Sequence, residues 1–251
     1  MTRRWLPLII LFLFVLGIPL TAQGQEPGIP AINLSVDTAT SPEQLSTTIQ
    51  IVILITILSL APSILIMMTS FTRIVVIFHF LRQAIGTQNT PSNQILISLA
   101  LFLTYFVMSP VLHEVHSTAL QPYLDNELEQ QEAIARAVVP VKQFMIHHTR
   151  GKDLELFANY FPGTEAKSPT ELSMMIVVPA FLINELRIAF QIGFMLYLPM
   201  LLIDMVVSAV LMSMGMMMLP PVMISMPFKI LLFVLVDGWY LIVESIIKGL
   251  S

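Results

Sequence analysis

The chain has 251 residues, of which 56% are hydrophobic and 11% charged, with a formal net charge of −4 and no cysteine. That balance excludes an ordinary soluble domain, in which about a quarter of residues are charged, and makes this a membrane protein. The negative charge and the lack of a basic run argue against nucleic acid as a partner, and without cysteine there are neither disulfides nor thiolate chemistry.

Thr2-Arg3-Arg4, an apolar run from Trp5 to Leu16, and the small residues Thr21-Ala22-Gln23-Gly24 have the build of a cleavable secretory signal over residues 1–24. The run is shorter than a membrane span needs, which favours a signal over a retained anchor. Residues 25–47, rich in Pro, Gly, Ser and Thr, then form a flexible mature N-terminus. Residues 48–112 make a first apolar helical hairpin, from Ile49 to Met68 (interrupted by Pro62) and from Ile95 to Leu112. Arg73 and Arg82 fall in the connection and place it on the cytoplasmic side, so the first span runs inward and the second outward.

Residues 113–170 are the one sizeable polar region. From His113 to Ser168 there are eight Asp or Glu against five Lys or Arg. Leu124–Met145 and Asp153–Tyr160 are predicted helical, with breaks at Gly151 and at Pro162-Gly163. His113-Glu114-Val115-His116 lacks the spacing that puts two imidazoles on one helix face, so no metal site is expected.

Residues 171–251 are apolar helices around a broken, methionine-rich loop. Within Leu172–Ile203, the spacing puts Asn184, Arg187 and Gln191 on one face. Glu185, Ala189 and Gly193 form a neighbouring strip whose small residues admit a close partner. Glu185 and Arg187 are either a buried structural pair or a transport site. Met205–Met226 carries eight of the seventeen methionines, among them Met216, Met217 and Met218 in succession, between Gly215 and Pro220-Pro221. Three consecutive residues point about 100° apart, so no single helical stripe uses them all, and a break is predicted there. The bland alternative is a set of ordinary hydrophobes. Asp204 and Lys229 are opposite charges in apolar surroundings, placed to pair within a chain or across subunits.

Pro179-Ala180-Phe181-Leu182-Ile183-Asn184-Glu185-Leu186, with Ala189-Phe190-Gln191-Ile192-Gly193-Phe194, resembles the first signature of the flagellar biosynthetic protein FliP family. Leu219-Pro220-Pro221, Pro227-Phe228-Lys229 and Val234-Leu235-Val236-Asp237-Gly238-Trp239 resemble the second. Leu60-Ala61-Pro62, Met67-Met68-Thr69-Ser70-Phe71-Thr72-Arg73 and Gln88-Asn89-Thr90-Pro91 with Gln94 are similar to the family's N-terminal half. The resemblance implies an all-α fold of membrane-associated helical hairpins that assemble into a multi-subunit ring or helical export gate. It implies a homo-pentamer with FliQ-like and FliR-like subunits and with FlhB-like and FlhA-like export components, conducting unfolded flagellar proteins. It implies no catalysis and no cofactor. The location would be the inner membrane and flagellar basal body, with much of the gate on the periplasmic side.

By the same resemblance Met216, Met217 and Met218 form a pore gasket, and Phe144, Phe157 and Glu185 face the channel. Arg150, Asp204 and Lys229 make charged contacts between subunits. The injectisome counterpart is the close relative. The rival from another class is an ion-coupled secondary transporter using Glu185, Arg187 and Asp204 at broken helices.

Overall fold

A computed structural model describes residues 42–87, 89–161, 168–216 and 219–250. The predicted signal (1–24), nearly all of the predicted mature N-terminus (25–47), the predicted break at Pro162-Gly163, and Met217 and Met218 lie outside them. The chain divides into two units, 1–53 and 54–251. Every described element is helical, and there is no strand among the described residues.

Helix α1 is Pro42–Met67, and its apolar part begins at Ile49. Its stretch Ile49–Met67 has mean hydropathy 2.5 and no buried residue. Nineteen residues rise about 28 Å, the thickness of a bilayer's hydrocarbon core. The next segment is a helix and not a connection. This helix, α2, spans Phe71–Ile85 and is ended by Gly86 in the left-handed region. Ile74, Ile77, Phe78, Leu81 and Ile85 recur at helical spacing and are all buried, so α2 sits in the core. Arg73 is enclosed with them rather than standing in a cytoplasmic loop.

Helix α3, Asn93–Val115, widens into a π-helical turn at His116–Leu120 and closes with the short α4, Gln121–Leu124. Pro110 lies inside it and does not end it. Helix α5, Gln130–His147, starts later than predicted, because Asp125 to Glu129 turn the chain with Asn126 at φ 59°. Asparagine tolerates that conformation better than most residues. Helix α6 is Gly151–Tyr160, followed by a 3₁₀ turn at Pro169–Glu171.

Helix α7, Met174–Ser213, has 40 residues and absorbs both Pro179 and Pro199. The Ser173 hydroxyl caps its start, accepting from the Met175 amide at 3.3 Å. Its end is a Schellman turn: the Gly215 amide donates to Met212 O at 3.0 Å and the Met216 amide to Leu211 O at 3.0 Å. Gly215 has φ 76°, which an L side chain adopts only with strain. Helices α8, Pro221–Leu235, and α9, Gly238–Lys248, meet at a 62° bend, with Asp237 at φ 52° between them.

Two cores hold residues 54–251 together. The first joins the α2 stripe to Leu96, Ala100 and Leu103 of α3, Ala189 and Met200 of α7, Phe233 of α8, and Ile242 and Ile246 of α9. The second joins Met108 of α3 to Phe144 and Met145 of α5, Leu154 of α6, and Ile176, Val177 and Phe181 of α7. Helix α7 runs through both. The predicted small strip is where it receives α2: a Cβ on Gly193 would stand 2.5 Å from the Phe80 ring.

Candidate functional site

Three polar assemblies lie along α7, each built from residues distant in sequence. The first pairs Glu185 with Arg73. The guanidinium Nε donates to Glu185 Oε2 at 2.8 Å, its Nη2 donates to Oε1, and its Nη1 donates to the Gly249 carbonyl at 2.9 Å. Arg73 is 2% exposed and Glu185 0%. The fork geometry suits a carboxylate bidentately, and the third bond ties in the C-terminal end of α9. Arg187 is not the partner of Glu185, because two steps along a helix turn the side chain to another face. Glu185 is thus enclosed within the single chain, with both oxygens on Arg73.

The second assembly joins α7 to α8. Lys229 Nζ donates to Asp204 Oδ2 at 2.6 Å, and the Ser225 hydroxyl donates to Asp204 Oδ1. Lys229 and Ser225 are buried and Asp204 is partly so. This pair closes within one chain.

The third lies where α5 and α6 meet α7. Arg150 donates from Nε and Nη2 to Asp153 at 2.9 and 3.1 Å, again within one chain. Asn184 Nδ2 donates to the His148 carbonyl, and Asn184 Oδ1 accepts from Arg187 Nη2 at 2.8 Å. Gln191 Oε1 accepts from Arg187 Nη1 at 3.2 Å, so the face predicted for Asn184, Arg187 and Gln191 exists. His148 Nδ1–H donates to the Phe144 carbonyl at 2.8 Å. Burial is the largest influence on this imidazole and lowers its pKa below the usual 6.5.

Phe144, expected at a channel, is buried in the second core, edge-to-face with Phe181 at 6.0 Å and against His148 at 4.4 Å. The reason is local: α5 presents one apolar stripe, and α7 covers it. Phe157 is half-buried beside the same core. Met216 sits just past the α7 Schellman turn and is exposed, as are Met212 and Met214 before it.

Sequence reasoning found Asp204 and Lys229 but missed Arg73 and Ser225. The stripe at 74, 77, 78, 81 and 85 was the available signal, since it makes Arg73 part of a buried helix.

The sequence model of the FliP family matches residues 54–246. The chain is similar to the flagellar biosynthetic protein FliP of Bacillus subtilis strain 168, at 54% identity over 86% of this chain and 98% of the relative. It is similar to that of Aquifex aeolicus strain VF5 at 48%, over 88% and 92%. For Caulobacter vibrioides the identity is 48%, over 87% and 82%. A match over most of the chain, with the two C-terminal signatures lying on α7, α8 and the bend before α9, places this chain in the FliP family.

Proposed function

We propose that this chain is a core subunit of the flagellar type III secretion export gate. Five copies, with FliQ-like and FliR-like subunits, enclose a pore that carries unfolded flagellar proteins across the inner membrane. FlhB-like and FlhA-like components work with it, and the chain itself performs no catalysis. The single observation that carries the reading, beyond family membership, is α7. Forty residues rise about 60 Å, twice the hydrocarbon thickness of a bilayer. Only 11% of its most apolar 18-residue stretch is buried inside the chain. An apolar rod that long needs protein neighbours beyond the bilayer, which fits a gate standing largely on the periplasmic side.

The break after α7 suits a closure. An unfolded cargo presents every side-chain shape in turn, so a rigid seal would jam or leak. Thioethers change rotamer cheaply and can dewet a narrow opening without a fixed fit. The Gly215 turn ends α7 just before Met216, the first of the three consecutive methionines.

The test is secretion. In a strain lacking this chain, hook and filament proteins should stay inside the cell, and the wild-type chain should restore their export. Normal export without the chain would contradict the proposal, as would solute uptake by a purified monomer.

A further inference from the structure

Arg187 forms no ion pair among the described residues. Its Nη1 and Nη2 bond the neutral amides of Gln191 and Asn184. Its Nε is buried and has no hydrogen-bond partner. Among the described residues no carboxylate comes within ion-pair distance of it. Arg150 and Arg73 lie near enough to repel it, and Asp153, a nearby anion, is bonded through both oxygens to Arg150. Glu185, next in line, is filled by Arg73. A guanidinium so placed on an apolar helix is incomplete, since a buried donor left unmade is costly and a carboxylate matches its fork.

The chain also has an acid with the opposite deficit close by. Glu155 lies two residues beyond Asp153 on α6. Two helical steps turn a side chain by about 200°, so with Asp153 buried toward Arg150, Glu155 points away and is exposed. It has no ion pair among the described residues. It makes no ion pair with Arg187 of its own chain, and it faces outward two residues from an acid that lies near Arg187. Copies side by side in a ring bring residues of one level together.

We propose that Arg187 is completed across the subunit boundary by Glu155 of the neighbouring copy, a contact that sets the lateral register of the ring. This rests on the multi-subunit reading above.

The chain has no cysteine, which makes a direct test clean. The double variant Arg187→Cys/Glu155→Cys, co-expressed with the FliQ-like and FliR-like subunits and oxidised with copper phenanthroline, should give a reducible ladder of covalent dimers and higher multimers. Neither single variant should give that ladder. In parallel, Arg187→Glu should cut the yield of assembled complex at least tenfold, and Arg187→Glu/Glu155→Arg should recover most of it. An assembled double-cysteine complex without the ladder would overturn the proposal. So would a cross-link confined to single chains, or an Arg187→Glu complex at wild-type yield. Unchanged assembly with loss of co-purifying phospholipid in Arg187→Gln would also overturn it and assign the site to a lipid phosphate. If the wild-type chain itself stays monomeric beside its partners, the multi-subunit reading fails instead.

Discussion

Replacing Arg73 with alanine removes the counter-charge of a carboxylate that no water reaches. Glu185 is fully enclosed, and both of its oxygens are bonded to the guanidinium. Breaking a buried pair from one side typically costs about 3–5 kcal/mol. Losing the bond to the Gly249 carbonyl adds about 1 kcal/mol and loosens the end of α9. For a chain of this size each kcal/mol lowers the melting temperature by roughly 2–4 °C, so a drop on the order of 8–24 °C is expected. The assay is thermal unfolding of the detergent-purified chain followed by fluorescence, since Trp239 packs edge-to-face on Phe78 and Phe233 at the first core. The double variant Arg73→Met/Glu185→Met removes both charges and should melt within a few degrees of wild type, because apolar groups of similar size replace a buried pair at little cost. An Arg73→Ala chain that melts within about 1 °C of wild type would refute the reasoning, as would a double variant no better than the single ones.

Asp204→Ala or Lys229→Ala should each lower the yield of assembled complex, with about 3–5 kcal/mol lost from the α7–α8 joint, and the double charge swap should restore part of it; gel filtration of the complex reads this out. Phe144→Ala should cost about 3–5 kcal/mol by emptying the second core, so export and complex yield should fall together. Phe157→Ala should reduce secretion more than yield. Shortening Met216, Met217 and Met218 together to alanine should leave the complex assembled but leaky, seen as slowed growth or dye loss from cells expressing it. Burial keeps His148 neutral in the folded chain, so below pH 6.5 the unfolded chain takes up a proton that the folded one resists. Stability is thus full above that pH and declines as pH falls through it; melting at pH 7.5 and 5.5 should show the decline, and His148→Gln should flatten it.

What could be read in the sequence was whatever depends on one helix. The face of Asn184, Arg187 and Gln191, the small strip ending at Gly193, and the break that begins at Gly215 follow from a 3.6-residue period and from glycine and proline chemistry. The charges of Asp204 and Lys229 could be matched because few others stand nearby. Arg73 could not be matched the same way. Its partner lies 112 residues on, and periodicity says which residues share a face but not which helix meets it. Helix α2 was hidden for a related reason: two arginines suggested a water-facing connection, although the apolar stripe around them was complete. Phe144 could be placed on an amphipathic helix but not in its core, since an aromatic there has the same signature whether it lines a path or fills a core.

The central claim, that this chain works as one of several copies around a pore, is tested most directly by the mass and subunit ratio of the complex purified with its FliQ-like and FliR-like partners. The account predicts one large assembly holding five copies of this chain. A monomer or dimer free of those partners, in a membrane where all are expressed, would contradict it.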